Sequence, residues 1–448
     1  MHHGSDRPGG DGIARRLAQI CGPGFVREAG PADSVAGVPA HWVAAPGSID
    51  AVATLLGLVA DRDLSVVARG AGTKLDWGAP PSHVDLVLDT GRLAGVWHHA
   101  AAEQLAEVGA GTPIRAIQAT LARAGQRLAL DPASPGATLG GVVVTDESGP
   151  LRHRHGSPCD QLVGASYVRA GGALEHTELA AASASAPAEH RDDQAPDADR
   201  GTEAERLCGS YGALGVLVSA TVRTQPLPSA AVWVVRSVWT PLEVHDLVAE
   251  LLAAPVRPAA IEVNLPATSA PLPHQRSTSG RGGAGSLGVL LEGRLAEVAA
   301  RAAELIALLR GDAATADAAP PWWGRYPFGA DDVALHVTVP ITDLHAAVYA
   351  LRDAAGVPVP VRGRAGVGEV FAALPGRTAP DRVAAILAAV RGVLLARGGS
   401  CVVLAAPSRI RAAVDLWGDL PRLADLRETK ERFDPGHLLA PGRYPGGI

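Results

Sequence analysis

The chain has 448 residues, enough for two or three domains and a well-buried core. Its 47% hydrophobic and 19% charged residues are an ordinary soluble composition, and a net charge of −6 argues against a nucleic-acid footprint. Lys74 and Lys430 are its lysines against many arginines, and with the high Ala, Gly and Pro content this reads as GC-rich coding rather than as function. The four cysteines, Cys21, Cys159, Cys208 and Cys401, lie far apart in sequence, so no CxxC pair offers metal or cluster spacing. They read as free thiols in a reducing cytoplasm. No apolar run has transmembrane length, and the N-terminus lacks a signal-peptide pattern. The two histidines of MHHG are too few for a tag or a metal site.

Residues 1–40 are rich in Gly, Pro and charge and are expected to pack loosely. From residue 41 a compact pattern begins. Val52, Leu55, Leu56 and Val59 recur at helical spacing behind Ser48 or Asp50 as cap. LSVVARGAGTKL reads as a strand and a Gly-rich turn, and VDLVLDT as a second strand. TPIRAIQATLARAGQ reads as a helix with Thr112 as cap, Pro113 at its first position, a stripe of Ile114, Ile117 and Leu121, and Gly125 as its end. Residues 176–206 hold almost nothing large and apolar and read as a flexible insertion. A strand follows the GSYGALGVL segment and ends at prolines.

After Pro228 the pattern becomes strand, helix, strand, strand, helix, and then repeats from VALHVTVP onward. Two βαββ units predict an α+β domain over 229–415, an antiparallel sheet covered by helices on one side. Residues 416–448 form a short helical C-terminal segment, expected to return to the domain at 41–228.

Three segments carry chemistry. Arg69, Gly70, Ala71, Gly72, Thr73 and Lys74 follow a strand, and the glycines let backbone N–H groups converge on an anion such as pyrophosphate. The spacing matches neither a P-loop nor the dinucleotide fingerprint, and a tight hairpin turn is the competing account. DPASPGATLGGVVVTDESGP supplies small residues and hydroxyls that admit a planar ligand, or else a pair of tight turns in a sheet-rich domain. GSYGALGVL clusters Gly209, Gly212 and Gly215 before a strand.

Taken in order, R-G-A-G-T-K-L-D-W-G, P-G-A-T-L-G-G, S-G-P-L-R and G-S-Y-G-A-L-G-V resemble the FAD-binding (PCMH-type) domain of the vanillyl-alcohol-oxidase superfamily. GGSCVVLAAPSRIRAAVDLWG and ETKERFDPGHLLAPGRY resemble the C-terminal end of the FAD-binding subunit of glycolate oxidase. The resemblance implies two α+β subdomains with FAD between them and a second domain capping the flavin's substrate face. It implies that Arg69–Lys74 wrap the pyrophosphate and that Thr138, Leu139, Gly140 and Gly141 lie along the isoalloxazine and ribityl side. Ser148, Gly149, Gly156 and Asp160 continue the site, and Gly215 and Val216 contact the adenosine half. The implied reaction is two-electron oxidation of glycolate or a similar 2-hydroxy acid by FAD. The implied partners are a second flavoprotein subunit and an iron–sulfur subunit, with peripheral membrane association through them.

The sequence departs from that pattern in places. No Lys, Tyr or Asp equivalent to the family's K-N-V-A-G-Y-D-L segment falls before G-S-Y-G. Asp146 and Glu147 stand where neutral residues are usual, and repulsion of an anionic cofactor there is expected to cost about 1 kcal/mol or more. His155 stands in place of the usual tyrosine of R-Y-G. The H-x-G-D-G-N-x-H histidines are missing from Arg364–Glu369. That leaves the catalytic residue unassigned, with His336 as the one candidate base, although a lone strand histidine is more often structural. Arg362 and Arg364 are candidate carboxylate binders, with solvated surface arginines as the alternative. Trp322, Trp323 and Tyr326 line a cap pocket or pack in the core. His153 and His155 would share one strand face without a third ligand, so no metal is expected. A non-catalytic scaffold subunit is the competing function. Another enzyme on the same fold, a sugar-nucleotide reductase or covalent-flavin oxidase, fits less well.

Overall fold

The computed structural model describes residues 10–178, 203–267, 285–316 and 318–448. The first sheet has four short strands in the order Val26–Glu28, Trp42–Ala44, Leu86–Asp89 and Val66–Arg69. Its last three strands run parallel. The helix Ile49–Asp61 covers it with Val52, Leu55, Leu56 and Val59 buried, and Ser48 Oγ accepts from Ala51 N at 3.1 Å as the cap. The loose packing expected of residues 1–40 does not hold over the described part. A helix at Gly10–Cys21 puts Leu17 and Cys21 into the same core, because its apolar stripe is short but regular.

The second sheet is antiparallel, in the order Val96–Ala100, Leu105–Gly109, Val216–Arg223, Leu162–Val168 and Leu174–Glu178. The helix Ile114–Ala122 buries its predicted stripe, but Pro113 itself occupies the cap position and Thr112 Oγ1 donates to Gly109 O at 2.6 Å. Thr112 thus closes a turn and does not cap the helix. The segment DPASPGATLGGVVVTDESGP, for which a pair of tight turns was the competing account, includes a β-prone VVV run. Leu139–Thr145 is a helix, because Leu139, Val142 and Val143 sit at helical spacing in the core beneath this sheet. The expected insertion at 176–206 lies outside the described residues apart from its flanks, the strand end at Glu178 and the start of the helix Glu203–Leu207.

Cys159 and Cys208, expected as free thiols, form a disulfide with Cα atoms 6.1 Å apart. Sequence separation hid the pair: the fold brings the two ends of a 49-residue excursion together. Cys21 and Cys401 are free and buried. The reducing-compartment argument therefore loses two of its four cysteines.

The third sheet has eight antiparallel strands. The order runs Ala314–Ala316, Ala230–Val238, Gly285–Gly293 and Ala260–Leu265, then Val361–Arg364, Glu369–Leu374, Val333–Thr338 and Ser400–Ala405. Each half reads its unit's strands in the same relation, so the repeat seen in sequence becomes a pseudo-two-fold, with its seam at Glu262 opposite Arg364. Alternation assigns the two faces. Val333, Leu335 and Val337 join the core under the helices Pro241–Ala253, Leu295–Leu309, Leu344–Ala355 and Pro380–Leu395. Ala334 and Phe371 point the other way and pack with Trp77 of the first domain. A buried bidentate pair, Arg127 with Glu292 at 2.6 Å, ties the two domains together.

The chain then returns to the first domain. Lys430, on the helix Leu423–Phe433, is fully buried and donates to Asp434 Oδ2 (2.6 Å), Ala213 O (2.8 Å) and Leu439 O (2.8 Å). Asp434 accepts from Leu438 N and Leu439 N, and Leu439 bridges Val66 in parallel. Every ammonium proton thus has an acceptor, which is what makes burial of the charge tolerable. Lys430→Met leaves Asp434 buried and unpaired, and urea unfolding is expected to show a loss of about 3–5 kcal/mol.

Candidate cofactor groove and interdomain cavity

The loop after Val66–Arg69 turns sharply because Gly72 adopts φ +74°. A side chain at Gly70 is excluded, since its Cβ would lie 2.0 Å from Thr138 Oγ1. Among the described residues, the N–H groups of Gly70 to Lys74 meet no acceptor. Buried or confined donors without acceptors are rare, and a row of them on one loop is a ready anion site. The loop lines a groove with Thr138, Gly141, Val144 and Thr145 of the following helix, and with Tyr211 and Arg443. The groove therefore lies between the two small sheets.

The loop's own cations are engaged elsewhere. Arg69 pairs with Asp33 (2.6 Å) and Asp89 (2.7 Å), and so ties the loop's root to its neighbours. A hydrogen bond from Arg27 holds the Asp33 carboxyl well below the usual range. Lys74 is buried and ion-paired with Glu147. Arg443 lies beneath the loop and donates to the carbonyls of Leu75 (3.1 Å) and Trp77 (2.8 Å). The groove therefore offers an anion main-chain donors rather than salt bridges.

A second, narrow cavity lies between the domains. Ala133, Gly149 and Pro150 line one wall, and Glu262, Arg325, Tyr326, Arg364 and Phe371 line the other. Arg364 is not a solvated surface residue. It is 4% exposed, pairs with Glu369 Oε2 at 2.6 Å, and donates to Gly149 O (3.0 Å) and Ser148 O. Burial opposes charge on Glu369, but Arg364, His336 and Arg152 outweigh it and hold its carboxyl well below the usual range. His336 Nε2 lies 2.6 Å from Glu369 Oε1, and its ring stacks on Phe371. Glu147 joins the two cavities, pairing with Lys74 on one side and accepting from Tyr326 Oη (2.8 Å) on the other.

The implied site residues separate into three groups. Arg69–Lys74, Thr138 and Gly141 meet in the groove, while Leu139 and Gly140 are buried behind it. Gly149 lines the interdomain cavity, and Ser148 Oγ accepts from Arg152 at 2.8 Å. Gly156, Asp160, Gly215 and Val216 line neither cavity. Gly156 turns at φ +76° against Asp160, whose Oδ2 accepts from Ser157 N at 2.8 Å. Gly215 packs on the Tyr167 ring and Val216 lies in the core.

The repulsion expected from Asp146 and Glu147 is answered locally, because Arg152 (3.1 Å) pairs the first and Lys74 the second. His153 and His155 lie on a short helix, not a strand, and bond Gly366 O (3.1 Å) and Gln225 Nε2 (3.0 Å). Trp322 and Trp323 pack under Gly288. Sequence reading missed Val144, Thr145, Tyr211, Arg443 and Glu262. Tyr211 and Arg443 sit inside the recognised G-S-Y-G and A-P-G-R-Y segments, and Glu262 is a lone acid in an apolar strand, a signal that was present.

Residues 40–178 match the family model described as FAD binding domain, which supports the FAD-linked oxidase superfamily for this part of the chain. The chain is 28% identical over 192 residues to D-2-hydroxyglutarate dehydrogenase of Xanthomonas citri pv. viticola, covering 42% of this chain and 38% of that protein. It is 29% identical over 176 residues to glycolate oxidase subunit GlcE of Escherichia coli, covering 39% and 46% respectively. D-lactate dehydrogenase of Archaeoglobus fulgidus is 24% identical over 184 residues, covering 41% and 38%. The chain thus spans less than half the length of these curated relatives. A solved alkyldihydroxyacetonephosphate synthase shares the fold at TM-score 0.68 and 16% identity, covering 96% of this chain and 84% of that one.

FAD is the cofactor of the matched domain, and the groove fits it: unsatisfied N–H groups suit the pyrophosphate, and the Gly70–Thr138 approach clears the backbone for it. Gly70→Val forces the loop off Thr138. The flavin-to-protein ratio after dialysis is expected to report FAD affinity lower by roughly tenfold or more.

Burial pushes the Glu262 carboxyl up to about 8. Its folded value lies above its unfolded one, so its stability contribution is full below the ordinary carboxylate range and is lost as pH rises through about 8. Wild-type urea midpoints are expected to fall over that window relative to Glu262→Gln, which lacks the proton.

Proposed function

We propose that this chain is an FAD-dependent oxidoreductase that oxidises a small 2-hydroxy acid, with glycolate as the leading substrate, to the 2-oxo acid. The observation that carries the reading is the adjacency of an FAD-type groove to a narrow interdomain cavity lined by charged groups, joined through Glu147. When bound, FAD supplies the two-electron acceptor. The backbone of Gly70–Lys74 would hold its pyrophosphate, with Thr138 and Tyr211 beside it.

The chain's own residues account for the rest. Arg325, exposed at the cavity's edge, supplies a cation for the substrate carboxylate. Arg364 positions the wall by binding two carbonyls of the first domain, and Glu369 and His336 neutralise and orient it. The narrowness of the cavity favours short acids over long ones. Similarity to a protein named as a glycolate oxidase subunit supports work within a complex, with a second flavoprotein subunit and an iron–sulfur subunit as onward acceptors. No helix among the described residues is long and apolar enough to cross a membrane.

A second reading, a scaffold subunit that keeps the fold without turnover, draws on the internal pairing of Lys74 and Arg364. Anaerobic visible spectra separate the two readings. An FAD spectrum that bleaches on adding glycolate or D-lactate is the expected result. A bound flavin that stays oxidised with every 2-hydroxy acid sinks the stand-alone dehydrogenase, and failure to take up FAD sinks the oxidoreductase reading altogether.

A further inference from the structure

Glu262 is a carboxylate in the wall of the interdomain cavity, 3% exposed, on a strand whose neighbours are apolar. Its Oε1 is buried without a hydrogen-bond partner. A native interior rarely leaves a carboxyl oxygen in that condition unless the group has a task. Its cross-strand partner, Arg364, does not satisfy it: Arg364 Nε, Nη1 and Nη2 go to Gly149 O, Glu369 and Ser148 O. Tyr326 Oη in the same wall donates to Glu147, and Arg362, two residues before Arg364 on its strand, donates Nε to Asn264 Oδ1. Glu262 is thus a poised proton acceptor facing the space where the substrate would sit.

Resting on the hydroxy-acid reading above, we propose that Glu262 is the catalytic base that takes the proton from the substrate's 2-hydroxyl. The O–H bond breaks and its proton goes to the Glu262 carboxylate. The C2–H bond breaks and its hydrogen leaves with the electron pair to bound FAD. The carbon–oxygen double bond of the 2-oxo acid forms from the hydroxyl oxygen's pair. Atoms and charge balance with one proton held on Glu262 and FAD reduced by two electrons. The charged groups facing Glu262 are Asp131 on the first domain and Arg364, Glu369 and Arg362 on the cap sheet. Burial, reinforced by the Asp131 and Glu369 charges against Arg364, moves its titration to about 8, within reach of an operating pH where a base works best.

The test uses the FAD-loaded full chain, wild type and Glu262→Gln. The rate of anaerobic flavin reduction by glycolate or D-lactate is measured from about pH 6 to about pH 9.5, around that midpoint. The wild-type rate is expected to rise with pH and level off near 8. Glu262→Gln is expected to lose roughly 10²-fold or more together with the pH dependence, while keeping its flavin spectrum. Infrared difference spectra of wild type minus variant supply an activity-independent readout: a protonated carboxyl band present at neutral pH and lost as pH passes about 8. An unchanged rate and profile in Glu262→Gln, a wild-type rate that is flat or falls with pH, or absence of the band at neutral pH overturns the assignment and leaves the hydroxy-acid reading intact. Should Glu262→Gln not fold, the wild-type profile decides alone. A wild-type flavin that no hydroxy acid reduces at any pH sinks both.

Discussion

The architecture depends on one buried ammonium. Lys430 is fully buried with three acceptors, and it holds Asp434 so that Leu438 and Leu439 are drawn alongside Val66. That contact extends the first sheet with the end of the chain. It also delivers Arg443 beneath the loop, where it collects the carbonyls of Leu75 and Trp77. Residues Gly70–Lys74, whose N–H groups meet no acceptor among the described residues, line the groove above it. A buried ion pair is weak evidence for stability in itself, but its geometry is restrictive, and here it fixes the end of the chain against Val66.

Charge neutralisation between the domains follows the same logic. Lys74–Glu147, Arg127–Glu292 and Arg364–Glu369 are each sequestered where the cap sheet meets the first domain. Two acids that look hostile to an anionic cofactor in sequence are harmless once Lys74 and Arg152 are placed against them. Coulomb energy depends on distance and dielectric, and neither can be read from neighbours in the chain. Glu262 is left outside this pairing, and that contrast singles it out.

The cap sheet shows how a repeat becomes a site. Two βαββ units meet edge to edge, and the meeting strands carry Glu262 and Arg364 at the same register. Strand alternation sends the apolar residues toward one layer of helices and leaves the opposite face for the first domain. His336 lies on that face with Nε2 2.6 Å from Glu369 Oε1.

The elements with strong periodicity were legible from the residues alone. The helix behind Ser48, the stripe at Ile114, Ile117 and Leu121, the paired βαββ units and the Gly-rich loop all stand where the sequence puts them, because local pattern dictates which face is buried. Tertiary structure decided the rest. Leu139–Thr145 became a helix against its β-propensity because its apolar face had a sheet to cover. Cys159 found Cys208, Lys74 paired with Glu147, and Arg364 was buried against Glu369. Each of those outcomes depends on a partner distant in sequence. Hydrogen bonds and ion pairs are set by distances of a few ångströms, which one-dimensional order does not contain.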